Sequence, residues 1–179
     1  IRDAGKVRHF GTSNESAWGM TTWNRLAADT GGPRMETVQN EYSLLCRMYD
    51  TDMAEMSHHE QVSLLAYSPL AAGLLTGKYA GGARPEGSRA SINGELGGRI
   101  TPRAETATDA YVALAHDHGV DPVHMALAWA AERPFMGSVI FGATTMAQLQ
   151  HILEGVDFTL TDALREGIAE TYRAHPLPF

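Results

Sequence analysis

The stretch from Ala66 to Tyr79 constrains the fold of this chain more than any other. An apolar run, Val62 to Ala66, precedes it and has the length of a buried β-strand. Ser68-Pro69 ends that run, because the right-handed helical region is disfavoured for a residue before proline. Small and hydroxyl-bearing residues then lead to Lys78. A strand that opens into such a loop is suited to holding a phosphate, although ordinary strand-to-helix turns have the same composition.

Four strand-like runs alternate with helical patterns along the chain. The predicted strands are Val7–Phe10, Glu36–Tyr42, Val62–Tyr67 and Ser138–Phe141. One helix is predicted to end at Gly31, and others cover roughly Asp52–His59, Ala104–His118, a segment from Asp121 to Arg133, Met146–Leu153 and a last segment capped by Thr161 or Asp162. Strands that alternate with helices indicate an α/β fold with a parallel sheet.

Two further features bear on the packing. The region Ala80–Pro102 is rich in glycine and arginine and has no periodic pattern, so we expect a mobile loop there. Methionines at helical spacing are expected to fill the core, and they are Met53, Met56, Met125 and Met146. Ile1 to Lys6 has the composition of the end of a helix that begins earlier.

Composition excludes several classes of function. The formal net charge is −7 and no run of five basic residues occurs, which argues against nucleic acid or an anionic membrane surface as the main partner. No apolar stretch approaches the ~20 residues of a membrane span. The single cysteine, Cys46, cannot form an internal disulfide and fits the reducing cytoplasm, where we expect the protein. We expect one domain over residues 1–179.

Two pairs of histidines that lie close in the sequence are candidates for a metal-binding site. His58 and His59 are adjacent, and His116 and His118 are two residues apart. Neither pair has the i, i+4 spacing or the cysteine partners of a zinc site. We therefore predict solvated helix ends and no metal.

Four segments, in order, resemble the aldo-keto reductases, and most closely the branch that contains the Tas-like bacterial reductases and the potassium-channel β-subunits. They are Gly5–Asn14 (GKVRHFGTSN), Val38–Leu45 (VQNEYSLL), Ala66–Tyr79 (AYSPLAAGLLTGKY) and Val139–Leu149 (VIFGATTMAQL). The resemblance covers nearly all of this chain but only the second half of the family's barrel. It implies a (β/α)8 TIM-barrel fold, of which residues 1–179 supply about the last four βα units and the C-terminal helix.

The resemblance also implies a cofactor site for NADPH or NADP+, with NADH as the alternative. Ser13, Asn14 and Gln39 match the positions that hydrogen-bond the nicotinamide carboxamide, and loop capping is the other use of such residues. Tyr67 matches an aromatic residue that stacks on the nicotinamide. The positions that match contacts to the rest of the cofactor are Ser68, Pro69, Leu70, Gly73, Thr76, Lys78, Arg89, Gly142, Thr144 and Gln148.

The adenine end of that site departs from the family pattern. Arg89 matches a residue that packs on adenine and meets the 2′-phosphate, a task that a planar guanidinium can perform. Where the family usually has asparagine, this chain has Ile152, preceded by His151. Because isoleucine cannot form a hydrogen bond, the preference between NADPH and NADH stays open.

The family's proton-donating tyrosine and its aspartate, lysine and histidine supporters come from the first half of the barrel. Nothing in this chain matches them, so no catalytic residue is assigned here. The resemblance implies reduction of an aldehyde or ketone substrate by the parent protein. Two alternatives remain: a nucleotide-sensing regulatory subunit that binds NADP(H) with little turnover, and a scaffold without cofactor.

A half-barrel leaves two strand edges unpaired. We therefore expect this chain to be a fragment of a longer protein, completed by the N-terminal half of the barrel or by a homo-oligomer partner.

Overall fold

The computed structural model describes residues 4–179, and its four strands form one parallel sheet. The strands are β1 (Phe10–Ser13), β2 (Met35–Glu41), β3 (Ser63–Tyr67) and β4 (Met136–Ile140), in the order β1-β2-β3-β4. The predicted α/β fold with a parallel sheet is confirmed. Ser13 is level with Gln39, and Glu41 is level with Tyr67. The carboxyl ends of β1, β2 and β3 therefore meet at one edge of the sheet.

The helices begin and end where the sequence supplies caps. They are α1 (Ala17–Thr30), α2 (Met53–Glu60), α3 (Arg89–Ile92), α4 (Pro102–Asp117), α5 (Pro122–Ala131), α6 (Met146–Glu154) and α7 (Asp162–Ala174). The Ser16 hydroxyl caps α1, which ends at Gly31 in the left-handed region. Asp121 caps α5, and Pro122 is its first residue. Thr161, rather than Asp162, caps α7.

The core lies around the two central strands. Val38 of β2 and Leu64 and Ala66 of β3 are fully buried. Tyr111 of α4 and Met125 of α5 pack in the same cluster. Burying a side chain the size of leucine contributes about 1.5–3 kcal/mol relative to leaving it exposed. The core therefore anchors β3 and the loop that follows it more firmly than the outer strands.

The first strand was placed wrongly from the sequence. It covers Phe10–Ser13 and not Val7–Phe10, because Gly11, Thr12 and Ser13 pair with β2. A Cβ atom at residue 11 would overlap Thr37, so glycine is what allows this close approach. The sequence Gly-Thr-Ser-Asn is typical of loops, and here pairing with β2 overrides that preference.

Met146 was also placed wrongly. It does not fill the core: it lies at the start of α6 with 75% of its surface exposed. Met53, Met56 and Met125 are buried, as predicted. β4 is an outer strand of the sheet, so the helix after it has fewer elements to pack against than α4 or α5.

The region between Tyr79 and Pro102 is irregular, as predicted, but it has anchors. A short 3₁₀ turn covers Ala80–Gly82, and α3 follows. The Ala90 amide donates to the Tyr79 hydroxyl at 3.3 Å, and Leu96 is buried. The mobility of the region stays a prediction.

Residues 4–6 form a turn, and the predicted helix end before them lies outside the described residues. Over residues 4–179, no helix has the length and apolar character needed to cross a membrane.

Candidate functional site

Four of the predicted site residues meet where β1, β2 and β3 end. The Ser13 hydroxyl donates to the main-chain carbonyl oxygen of Gln39 at 3.1 Å, and the main-chain amide of Asn14 donates to the same oxygen at 2.9 Å. The Tyr67 hydroxyl donates to Asn14 Oδ1 at 2.8 Å. Asn14 has a φ of 54°, in the left-handed region that asparagine tolerates better than most residues. These bonds connect three strand ends into one polar surface, named here the strand-end cluster.

Asn40 fixes the loop that carries part of this cluster. Its side-chain Nδ2 donates to the Glu15 carbonyl at 3.0 Å, across the gap between β2 and the start of α1. Within residues 4–179, Gln39 contributes only main-chain atoms to these hydrogen bonds. Its side-chain amide therefore keeps both a donor and an acceptor for a ligand.

Tyr67 presents a neutral phenol at this edge. Burial raises the pKa of its hydroxyl above the ordinary value of 10.0, and the Glu41 carboxylate raises it further, while the Arg99 guanidinium opposes the shift. The ring is only partly buried, since it closes β3 next to the loop. Tyr67 is therefore equipped to offer an aromatic face rather than to exchange a proton near pH 7.

The loop after β3 has an unusual backbone. Five of its residues adopt positive φ angles: Ser68, Ala71, Ala72, Gly73 and Gly77. Sparsely populated backbone conformations of this kind cost about 1–3 kcal/mol each for residues other than glycine, and they cluster at functional sites. Buried side chains, including Leu74 and Leu75, hold the loop in this shape. Pro69 is buried and Leu70 is half-buried, so both support the loop from below.

Gly73, Thr76 and Lys78 of this loop are in contact. The Thr76 hydroxyl donates to the Gly73 carbonyl at 2.8 Å and accepts from the Lys78 amide at 3.3 Å. A Cβ atom on Gly73 would lie 3.1 Å from Lys78 Nζ, so the absence of a side chain leaves room for the ammonium group. The ammonium also lies 5.1 Å from the centre of the Tyr79 ring. An exposed cation over a small-residue loop fits a phosphate group.

The remaining predicted residues are not joined to this loop. Arg89 is the exposed first residue of α3. After β4, the amide and hydroxyl of Thr144 both donate to Gln148 Oε1, at 2.9 and 3.0 Å, and Gly142 lies exposed before them. In the described part of the chain, no hydrogen bond links Arg89 or these β4 residues to the loop from Ser68 to Lys78.

No role was predicted for Arg99, yet it lies beside the strand-end cluster. Its guanidinium donates to Glu41 through Nε at 2.8 Å and Nη2 at 2.7 Å, and Nη1 donates to the Leu96 carbonyl at 2.9 Å. This two-point pairing raises the pKa of Arg99. The pair fastens the irregular region to the end of β2. The carboxylate at the polar end of the predicted strand was the available signal, but 58 residues separate the partners.

A small cleft lies beside the loop rather than over the strand ends. It has a volume of about 180 Å³, and Tyr79, Arg84, Glu105 and Asp109 are among its lining residues. None of the strand-end cluster lines it. The members of the strand-end cluster are exposed or half-buried, so the candidate site is an open surface of this chain.

A parallel α/β sheet with polar groups and a glycine-containing cationic loop at its carboxyl edge is typical of nucleotide-binding proteins. The chain belongs to the aldo/keto reductase family, whose profile matches residues 1–172. This confirms the family that the four segments indicated.

Individual relatives agree with this assignment. The chain is 41% identical over 175 residues to Protein tas of Escherichia coli (strain K12), with 98% of this chain and 51% of the relative covered. It is 34% identical over 155 residues to an aldo-keto reductase of Babesia bovis, covering 82% and 53%. It is 32% identical over 184 residues to a probable voltage-gated potassium channel subunit beta of Arabidopsis thaliana, covering 98% and 56%. The chain spans about half the length of these relatives.

Proposed function

We propose that this chain is the cofactor-binding half of an NADP(H)-dependent aldo-keto reductase that reduces aldehydes or ketones to alcohols in the cytoplasm. The strand-end cluster carries the proposal, because hydrogen bonds bring Ser13, Asn14, Gln39 and Tyr67 together as a nicotinamide site requires. Family membership supports the reaction class. NADPH, when bound, supplies the hydride.

Each group has a task in this proposal. The hydroxyl and amide groups of Ser13, Asn14 and Gln39 orient the carboxamide through donors and acceptors. Tyr67 covers one face of the nicotinamide and leaves the other for substrate. Lys78 and the small residues around Gly73 hold the pyrophosphate. The proton for the alcohol comes from outside this chain.

A second part of the proposal concerns the barrel. Residues 1–179 form one domain, half of a (β/α)8 barrel, and the N-terminal half of the barrel covers both sheet edges. The helices that follow the two outer strands support this: Trp18 and Trp23 of α1 are exposed, and so are Met146 and Leu153 of α6. Apolar side chains beside unpaired strand edges are expected where another part of the barrel packs.

The test uses the complete protein and NADPH oxidation with a panel of aldehydes and ketones. Tyr67→Leu removes the ring and is expected to raise the NADPH dissociation constant about tenfold or more. Tyr67→Phe keeps the ring and loses only the bond to Asn14, so its effect should be about threefold or less. Equal effects of the two variants would contradict stacking on Tyr67.

Arg89 decides the cofactor preference in this proposal. Arg89→Gln should weaken the binding of NADPH, which has a 2′-phosphate, much more than that of NADH, which loses only the packing of the side chain on adenine. Arg84→Gln, an exposed arginine of the same region, is the matched control and should change neither. Affinities for the two cofactors in both variants measure this directly.

A regulatory subunit is the second candidate, and similarity to the Arabidopsis thaliana channel subunit favours it. That function requires tight NADPH binding with little turnover. Rapid NADPH oxidation with any carbonyl of the panel would exclude it, and binding without oxidation would favour it.

A further inference from the structure

We propose that Asp121, His124 and His151 form a binding site for a divalent transition-metal ion, with zinc as the ion to test. A ring nitrogen of each histidine and a carboxylate oxygen of Asp121 lie within 4.8 Å of one another. Asp121 and His124 are at the start of α5, and His151 is on α6. The site does not depend on the proposed cofactor function.

The distances suit one ion. Zinc bonds to nitrogen and carboxylate oxygen at about 2.0–2.2 Å, so two ligand atoms of a tetrahedral site lie roughly 3.3 Å apart. Asp121 Oδ2 and His151 Nε2 are already 3.2 Å apart. All three side chains are half-buried to partly exposed, so small rotations bring the third ligand to the ion.

Hydrogen bonds leave the required lone pairs available. His124 Nε2 lies 2.7 Å from the His151 carbonyl oxygen, which can only accept, so this nitrogen carries the proton. Its Nδ1 is then the nitrogen with a free lone pair. A metal-binding histidine commonly donates its other ring N–H to a backbone carbonyl in this way. Asp121 Oδ1 accepts from the amides of Val123 and His124, which leaves Oδ2 for the ion.

The contact between Asp121 and His151 does not by itself account for the position of His124 beside them. The two imidazole rings stack with centres 4.9 Å apart and planes 28° from parallel. Coordination of one ion by both residues requires a ring nitrogen from each, and the stacking holds the two rings side by side. Gly155 makes the arrangement possible, because a Cβ atom there would overlap the His124 ring.

The ligand set of two imidazoles and one carboxylate favours some metal ions over others. Imidazole suits zinc, copper, iron and nickel, whereas magnesium and calcium prefer oxygen ligands only. Three protein ligands leave one position of a tetrahedral zinc site open to water. Ile152 is the single buried residue of α6, so packing alone attaches this helix weakly to the rest of the fold. An ion bound by residues of both helices would cross-link α6 to α5.

Zinc uptake by the complete, untagged protein tests the proposal through equilibrium dialysis and thermal unfolding. We expect one saturable zinc ion per chain, and at zinc concentrations of about a hundred times the dissociation constant a rise in melting temperature of roughly 5 °C. His124→Gln, His151→Gln and Gly155→Ala should each raise the dissociation constant about tenfold or more. Asp121→Asn should do the same while keeping the helix cap, since asparagine caps as well as aspartate.

The double variant His58→Gln/His59→Gln is the matched control, because these two rings are also in contact but lie on α2. It should bind zinc as the unmodified protein does. Circular dichroism separates a lost site from a lost fold, and Gly155→Ala keeps all three ligand residues while displacing the His124 ring. The proposal is overturned if no zinc binds, or if the four site variants bind zinc as tightly as the control.

Discussion

The loops after β3 and β4 both carry residues that were predicted to contact the cofactor, yet they are held in different ways. The β3 loop rests on Leu74 and Leu75, both buried. In the β4 loop, Gly142, Thr144 and Gln148 are all exposed, and Thr144 and Gln148 bond mainly to each other. The conformation of a loop after a central strand is held by packing against this chain's own core. A loop after an outer strand depends on what packs against that strand.

The largest expected effect comes from the residues beneath the two loops. Leu75→Ala should lower the free energy of unfolding by about 2–5 kcal/mol, because it opens a cavity in the core. Leu153→Ala, on α6 and 52% exposed, should cost less than about 0.5 kcal/mol in residues 1–179 alone. Urea unfolding of both variants measures the difference.

The same two variants, Leu75→Ala and Leu153→Ala, also test the proposal that this chain is half of a barrel. In the complete protein, the proposed N-terminal half of the barrel should cover Leu153, and Leu153→Ala should then cost about 2 kcal/mol or more. An unchanged small cost in the complete protein would show that nothing packs on this face of α6.

The ion pair of Arg99 and Glu41 attaches the irregular region that follows the β3 loop to the end of β2. Arg99→Lys should lower stability by about 1–2 kcal/mol, since lysine cannot make the two-point contact and the pair is about one-fifth exposed. Limited proteolysis should then cut more readily within residues 80–102. Arg84→Lys is the control, and cleavage at equal rates in both variants would show that the pair is not the anchor.

Two glycines test the backbone of the loops. Gly73→Ala should cost about 1–2 kcal/mol, because the residue has a φ of 99° and its side chain would press on Lys78. Gly142→Ala has open space around it and should change stability by less than about 0.5 kcal/mol. Thermal unfolding of the pair compares the loops, and equal losses would contradict the difference drawn here.

The smallest effect concerns alkaline pH. Burial raises the pKa of Tyr111, which packs in the core beneath the β3 loop. The unfolded state therefore loses this proton first, near pH 10, and stability that is complete below that pH falls as pH rises further. Tyr111→Phe should change stability at pH 7 by less than about 1 kcal/mol, because the hydroxyl is buried and has no hydrogen-bond partner among residues 4–179.

Above pH 10 the same variant should lose stability less steeply than the unmodified protein. Urea midpoints at pH 8 and at higher pH in both proteins check this. Identical slopes would mean that Tyr111 ionises alike in the folded and unfolded states.

Local signals predicted the helices well. Asp121-Pro122 and Thr161 mark helix starts through chemistry that acts within one turn, and the structure places α5 and α7 there. β1 was misplaced because its residues owe their strand conformation to pairing with β2, which begins 22 residues after β1 ends. Met146 has the right spacing for a core position, but spacing does not reveal that its helix lies beside an outer strand.

The site residues show the same contrast between local signals and contacts that join distant segments. Resemblance of contiguous segments pointed to Ser13, Asn14, Gln39 and Tyr67, and the fold brings these four together. The pairing of Arg99 with Glu41 joins segments that no local pattern connects. The grouping of His124 with His151, 27 residues apart, was missed for the same reason, since only histidines close in sequence were compared.

Calorimetric titration of the complete protein with NADPH tests the central claim most directly, with Lys78→Gln and Lys6→Gln as the compared variants. The unmodified protein and Lys6→Gln should bind one NADPH per chain with equal affinity. Lys78→Gln should bind about tenfold or more weakly, because it loses a charge-assisted contact to the pyrophosphate. Absence of binding, or equal affinity in all three proteins, would contradict a cofactor site on the loop after β3.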